Sequence, residues 1–251
     1  MRRNILITGA SSGLGAEMAR QFAAKGHNLV LTARREDRLK ALQTELTGQE
    51  GLSGTTVVTY RLDVTDHEQV FEVFRAADAE LEGGLHRIIV NAGIGKGTPL
   101  GTGRFDANLE TAETNFIAAL AQAEAAMELF RARNAGHLVF ISSVAAVRGL
   151  PKAVTTYAAT KAAVGTLAEG LQLELLGKPI KVSAIFPGYI RSELNEHVAN
   201  TPFVVDTEVG VRAMVAAIEA EKAKAYVPGW PWAPLARVMR LAPLPLLRRM
   251  I

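Results

Sequence analysis

The feature that most restricts this chain is its alternation of short apolar runs with longer amphipathic stretches. Strand-like runs rich in Val, Ile and Leu lie at Asn4–Thr8, Asn28–Thr32, Thr56–Leu62, Arg87–Asn91, Gly136–Ser142, Ile180–Pro187 and Ala225–Pro228. Helical patterns lie between them at Gly13–Lys25, Glu36–Leu46, Asp66–Glu82, Phe105–Arg133, Thr155–Leu176 and Thr207–Glu219. Several runs are apolar on both faces, the pattern of a parallel sheet covered on both sides. The alternation predicts a single doubly wound α/β domain, with a seven-stranded, mostly parallel sheet and helices on both faces. The loops Gly93–Gly103 and Gly188–Asp206 both follow strands. They therefore belong at the carboxyl edge, where sheets of this kind bind ligands.

Composition narrows the chemistry. The absence of cysteine excludes a disulfide scaffold, a thiolate metal site and a cysteine nucleophile. Hydrophobic residues make up 49% and charged residues 21%, as in a globular protein. The net charge of +3 is unevenly placed. Lys222, Lys224, Arg237, Arg240, Arg248 and Arg249 fall in a C-terminal stretch without a single acid, which also holds Trp230 and Trp232. A nucleic-acid binder would spread cations over a face, so the basic balance is a property of the tail and no nucleic-acid partner is expected. No apolar run is long enough to span a bilayer. The apolar stretch Ile5–Ile7 is too short for a signal peptide, and a cytoplasmic protein is expected.

The first strand runs into Thr8-Gly9-Ala10-Ser11-Ser12-Gly13-Leu14-Gly15. Such a turn lets the backbone approach a pyrophosphate, with a helix N-terminus facing the negative charge. Gly9, Ser11, Ser12, Gly13, Leu14 and Gly15 are thus candidate nucleotide contacts. No Gly-Lys-Ser/Thr follows, which argues against a P-loop. The second strand ends Ala33-Arg34-Arg35, with no acid before Glu36. An acid there would bond a ribose 2′-hydroxyl, whereas a guanidinium suits a 2′-phosphate. Arg34 and Arg35 therefore point to NADP(H) over NAD(H), with Arg34 favoured.

Tyr157 and Lys161 lie four residues apart, on one face of a helix. A phenol with a reference pKa of about 10 exchanges protons poorly near neutrality, and an adjacent cation should lower it. Ser142-Ser143 ends the preceding strand at the same edge. Alone, a Tyr/Lys pair is usually an ordinary surface pair. In order with the glycine turn, Asn91-Ala92-Gly93 and Pro187-Gly188, it resembles the short-chain dehydrogenase/reductase family in its compact single-domain form, over residues 3–228.

That resemblance implies a Rossmann fold and assigns positions. Asp63 and Val64 match the pair beside the adenine, and Asn91, Ala92 and Gly93 match the fourth-strand motif that supports the cofactor. Pro187, Gly188, Ile190 and Ser192 match the segment over the nicotinamide. Asn115, Ser143, Tyr157 and Lys161 match the catalytic tetrad, with Tyr157 and Lys161 also touching the cofactor. One departure stands out. Ser143 precedes Tyr157 by fourteen residues rather than thirteen, so Ser142 is the fallback, and an extra residue in Leu150–Val154 would explain the spacing.

The resemblance implies an NADP(H)-dependent oxidoreductase that interconverts a carbonyl and an alcohol by hydride transfer. The alternative is a non-catalytic NADP-binding sensor or scaffold on the same fold. A sugar-nucleotide epimerase fits less well, because there is no room for its larger C-terminal domain. Ile94, Val144, Leu150 and Tyr189 suggest an apolar small-molecule substrate. Self-association into a homodimer or homotetramer, through the helix Phe105–Arg133 and the helix after Tyr157, is implied in the same way. His27, His67, His86, His137 and His197 show no metal-ligand spacing and read as surface or strand-edge residues, so no metal is expected. The catalytic body should end near residue 228. The tail 229–251 should pack on that body or on a partner subunit, ahead of membrane contact, since Pro243 and Pro245 interrupt an amphipathic helix.

Overall fold

The computed structural model describes residues 2–48, 54–191, 193 and 203–250. Seven strands form one sheet: β1 Asn4–Thr8, β2 Asn28–Ala33, β3 Val57–Arg61, β4 Arg87–Val90, β5 His137–Ile141, β6 Lys181–Pro187 and β7 Lys224–Val227. Their order is β3-β2-β1-β4-β5-β6-β7. All six pairings are parallel, with Ile5 opposite Leu29 on one side and Arg87 on the other. The chain winds outward from β1 to β3 and then returns to β4 on the other flank of β1. The crevice at this reversal opens at the carboxyl ends of β1 and β4.

Alternating side chains send apolar residues to both faces, which explains why the strands read as unbroken hydrophobic runs. On one face Ile5, Ile7, Leu29, Leu31 and Ile89 pack under α1 (Gly13–Ala24), α2 (Glu36–Thr47) and α7 (Thr207–Glu219). On the other Leu6, Val30, Ile88, Leu138 and Phe140 pack under α3 (His67–Glu80), α5 (Ala118–Arg133) and α6 (Thr155–Glu174). The sheet is thus the middle of three layers.

The stretch Phe105–Arg133 is not one regular helix. It divides into α4 (Phe105–Ala112), a π turn at Glu113–Ile117 and α5. Periodicity could not reveal this, because the insertion of a π turn leaves the apolar pattern helical on either side. Such turns re-aim side chains and concentrate at functional sites; here the turn carries Asn115.

The histidines also differ from the expectation of surface or strand-edge residues: His27 and His137 are buried. They belong to a polar network at the amino end of the sheet. Fully buried Arg87 donates from Nε to His137 Nδ1 at 2.9 Å and pairs with Glu219. His137 Nε2 meets Ser183 Oγ at 2.8 Å, and His27 lies 3.6 Å from Glu219. Each buried polar group thereby finds a partner, which its desolvation requires.

The tail forms α8 (Gly229–Leu241, with a kink at Trp230) and α9 (Leu244–Met250). Trp232, Ala236, Ala242 and Leu247 turn inward and are buried, while Trp230, Val238, Leu241, Leu244 and Leu246 are exposed. Arg148 binds the end of α8 by donating to the carbonyls of Met239, Arg240 and Ala242 at 3.3, 2.8 and 3.1 Å. Among the described residues no helix is long and apolar enough to cross a membrane.

Candidate active site

The crevice holds a cavity of about 410 Å³. The glycine turn, Ala33-Arg34-Arg35, Asp63-Val64 and Asn91-Ala92-Gly93 all line it, together with Leu62, Ile94, Thr114 and Glu193. Two glycines shape the turn. Gly9 has φ +66°, a conformation L side chains rarely adopt, and a Cβ there would stand 2.9 Å from Ala92 Cα. A Cβ on Gly15 would overlap the Gly9 carbonyl oxygen. Thr8 then ties the turn to the end of β4: its Oγ accepts from the backbone N–H of Asn91 and Ala92 at 3.0 and 3.1 Å. Asn91 Nδ2 returns a bond to the Thr8 carbonyl at 2.8 Å.

Of the two arginines, Arg35 is the one tied to the turn. It donates to Ser11 Oγ at 3.2 Å and to Ser12 Oγ at 2.6 Å. Arg34 lines the same cavity, is exposed, and has no hydrogen-bond partner among the described residues. Asp63 Oδ1 accepts from the Thr65 backbone and hydroxyl at 3.1 and 2.8 Å, which fixes the turn after β3. The cavity therefore offers a glycine cradle at a helix N-terminus for phosphates, arginines at one end and an apolar wall at Val64. These residues fit the adenosine and phosphate half of a dinucleotide.

Tyr157 and Lys161 descend from the first turns of α6 toward the same edge. Lys161 is buried, donates to the Ile141 carbonyl at 3.0 Å, and has Nζ 6.0 Å from the centroid of the Tyr157 ring. Burial pulls the Lys161 ammonium down to about 8. Tyr157 runs against the expectation from its spacing to Lys161. Burial pushes its phenol up, the hydrogen bond with Ser143 draws it partly back, and Tyr189 nearby adds to the rise. Lys161 does not reverse this rise.

The two serines are separated by their partners. Ser142 is buried and donates its hydroxyl to the Lys161 carbonyl at 2.7 Å, which anchors α6 to β5. Ser143 caps the 3₁₀ turn Val144–Val147, its Oγ accepting from the Ala145 N–H at 3.1 Å. Its proton remains for Tyr157 or a ligand. The segment between Ser143 and Tyr157 contains two 3₁₀ turns, Val144–Val147 and Lys152–Val154. The second is entered through Lys152 at φ 60°.

Asn115 is buried in the π turn. Its Oδ1 accepts from Ile94 N at 2.8 Å, and its Nδ2 donates to Ile94 O at 2.9 Å and to Thr160 Oγ at 3.3 Å. It thus joins the loop after β4 to the residue preceding Lys161. Pro187 ends β6, and Gly188 lies against the Trp232 indole. Ile190 is buried, and its side chain packs against Gly210 of α7. Ser192 lies outside the described residues.

Sequence reasoning passed over four residues that shape the site. Thr8 organises the turn. Asn108, buried on α4, accepts from Thr98 N at 3.1 Å and Thr156 Oγ at 3.0 Å, which joins the loop after β4 to the start of α6. Glu193 meets Arg35 at 3.2 Å and Arg38 at 2.6 Å. Trp232 packs edge-on against Tyr189 with centroids 5.4 Å apart.

Comparison with known proteins follows the same geometry. The family model described as short chain dehydrogenase matches residues 3–202. The chain is 52% identical over 248 residues to an oxidoreductase of Mycobacterium tuberculosis, covering 99% of this chain and 97% of that protein. Among solved structures, a short-chain dehydrogenase from Sphingobium yanoikuyae in complex with NADPH aligns with a TM-score of 0.83 and 29% identity, over 94% of this chain and 91% of that one. A bulky-bulky ketone specific alcohol dehydrogenase from Comamonas testosteroni aligns with a TM-score of 0.78 and 29% identity, over 96% and 95% of the two chains.

Proposed function

The chain belongs to the short-chain dehydrogenase family of oxidoreductases, and from that premise we propose that it interconverts a carbonyl and an alcohol, using NADP(H) in preference to NAD(H). The observation that carries this reading is the Ser143 hydrogen bond to the Tyr157 phenol, with buried Lys161 one helix turn on and beside Gly93, which lines the cavity of the glycine turn. Gly9, Gly13 and Gly15 would hold the phosphates, and Asp63 and Val64 the adenine. Arg34 and Arg35 would take the 2′-phosphate. When bound, the nicotinamide supplies or accepts the hydride.

The protein's own part is to manage the oxygen. Ser143 and Tyr157 donate hydrogen bonds to the substrate carbonyl as negative charge grows on it. In reduction the Tyr157 phenol gives its proton to that oxygen and becomes a phenolate; in oxidation the phenolate takes the hydroxyl proton. The raised pKa of Tyr157 keeps the phenol protonated in the free protein, ready to act as an acid. Lys161 holds positive charge below it, fixed by the Ile141 carbonyl, and Asn115 holds the loop after β4 against α6. Ile94, Val144, Leu150 and Tyr189 would offer the substrate an apolar wall, which favours a hydrophobic ketone or aldehyde. The apolar residues exposed on α4 and α6, among them Phe105 and Leu173, support self-association through those helices.

The test is a cofactor-depletion assay with NADPH and NADH against a panel of ketones, aldehydes and diketones, run on the native protein and on Tyr157→Phe. We expect turnover favouring NADPH, lost in the variant, with NADPH binding retained. Near-native reductase activity in Tyr157→Phe would overturn the assignment.

A further inference from the structure

One of the two arginines that would take a 2′-phosphate, Arg35, already holds an anion, together with Arg38. Glu193 reaches the end of β2 from the segment after β6, 158 residues away in the chain. Its Oε2 accepts from Arg35 at 3.2 Å and its Oε1 from Arg38 at 2.6 Å. Ser12, whose Oγ accepts from Arg35 at 2.6 Å, also bonds the carboxylate. Arg38 foremost, with Arg35 and Ser12, holds Glu193 below the usual carboxylate range. Glu193 and Asp63 are the acids lining the cavity, and only Glu193 meets the arginines.

We propose that Glu193 is a specificity-determining residue that occupies the anion position of Arg35 and Arg38 and competes with the cofactor's 2′-phosphate for it. This rests on the nucleotide reading above. Carboxylate and phosphate oxygens use the same guanidinium donors, and a fork engaged by one is closed to the other. A 2′-phosphate must displace Glu193, so part of its attraction is spent on breaking two ion pairs. A 2′-hydroxyl needs no displacement and meets Arg35 and Arg38 already sharing one carboxylate, with their charge partly offset. Glu193 therefore lowers the advantage of NADP(H) over NAD(H) that the arginines alone would give. The same contact adds Arg38 to the residues that would read the phosphate.

Calorimetric binding of 2′,5′-ADP and 5′-ADP to the native protein, Glu193→Gln and Glu193→Ala tests this without turnover. Both variants should tighten 2′,5′-ADP by roughly three- to tenfold, the scale of two exposed ion pairs, and leave 5′-ADP unchanged. The gain should shrink in an Arg38→Gln background and at high salt. Unchanged or weaker 2′,5′-ADP binding in the variants would overturn the proposal, as would equal tightening of both ligands. If the native protein and the variants bind neither ligand, the nucleotide reading itself falls and carries this inference with it. Native binding with no effect of the substitutions leaves that reading standing and removes only the role of Glu193.

Discussion

At the residue scale, Ser142 and Ser143 are chemically identical neighbours with different tasks. Ser142 spends its hydroxyl proton on the Lys161 carbonyl in the core, whereas Ser143 accepts from a backbone N–H and keeps its proton for the crevice. Ser143→Ala should therefore lower kcat by about 10²–10³-fold, the usual cost of losing one donor to a developing oxyanion. Ser142→Ala should leave kcat within a few-fold but lower stability by about 1 kcal/mol, because a buried acceptor loses its partner. Steady-state kinetics with urea unfolding checks both, and the reverse pattern would exchange the assignments. Sequence placed the serine pair at the strand end and favoured Ser143 with Ser142 as the fallback, but it could not show what separates them, which depends on the way each side chain turns at the end of β5. The glycine turn and the placing of Tyr157 and Lys161 on one helix were legible because both depend on fixed local spacing. Glu193 and Asn108 were not, because a contact across 158 residues, or between a loop and two helices, leaves no periodic trace.

At the element scale, strands and most helices followed their apolar periods closely, and α7 was legible to the residue. The π turn between α4 and α5 was not, although it aims Asn115 at both Ile94 and Thr160. The opposite edge of the sheet carries a different constraint. His137 on β5 accepts from Arg87 on β4, meets Ser183 on β6, and is held neutral: burial first, then the Arg87 charge, push it down to about 3. The unfolded chain, with an ordinary histidine near 6.5, binds this proton more readily. Stability should therefore fall as the pH drops from about 6.5 toward 3, by up to ~1.4 kcal/mol per pH unit from this group. Glu219, with its carboxyl lowered by Arg87, adds to the same acid loss at the lower end. His137→Gln keeps an acceptor for Arg87 and a donor for Ser183 without a titrating ring. Its urea-unfolding free energy should show a shallower slope between pH 4 and 6, and a slope equal to the native one would reject the role given to His137.

At the scale of the whole molecule, the basic tail folds back on the body beside Tyr189. Four of its six cations, Arg237, Arg240, Arg248 and Arg249, sit on α8 and α9, and those helices are held by their apolar inward face and by Arg148. Trp232 is the centre of that seat: it covers Gly188 and packs edge-on against Tyr189 and Phe203, with ring centroids 5.4 and 6.1 Å away. Tyr189 in turn bears on the Tyr157 phenol. Among the described residues none of the tail lines the nucleotide cavity, so the two ends of the crevice should respond separately. The indole N–H of Trp232 is buried without a hydrogen-bond partner among the described residues, so what the ring contributes is packing. Trp232→Ala should then cost about 3–5 kcal/mol of unfolding free energy, as for other buried aromatic truncations. Trp232→Phe keeps most of the ring and removes an unsatisfied donor, so it should be far less harmful and near neutral. In the folded fraction of both variants 2′,5′-ADP should bind as in the native protein, while KM for the carbonyl substrate rises in Trp232→Ala as Tyr189 loses its support. Urea unfolding, calorimetry and steady-state kinetics on the pair decide the matter. Equal stability of Trp232→Ala and native protein would mean that α8 is not seated on the body. Loss of 2′,5′-ADP binding in a folded Trp232→Ala would mean that the tail acts on the nucleotide end after all.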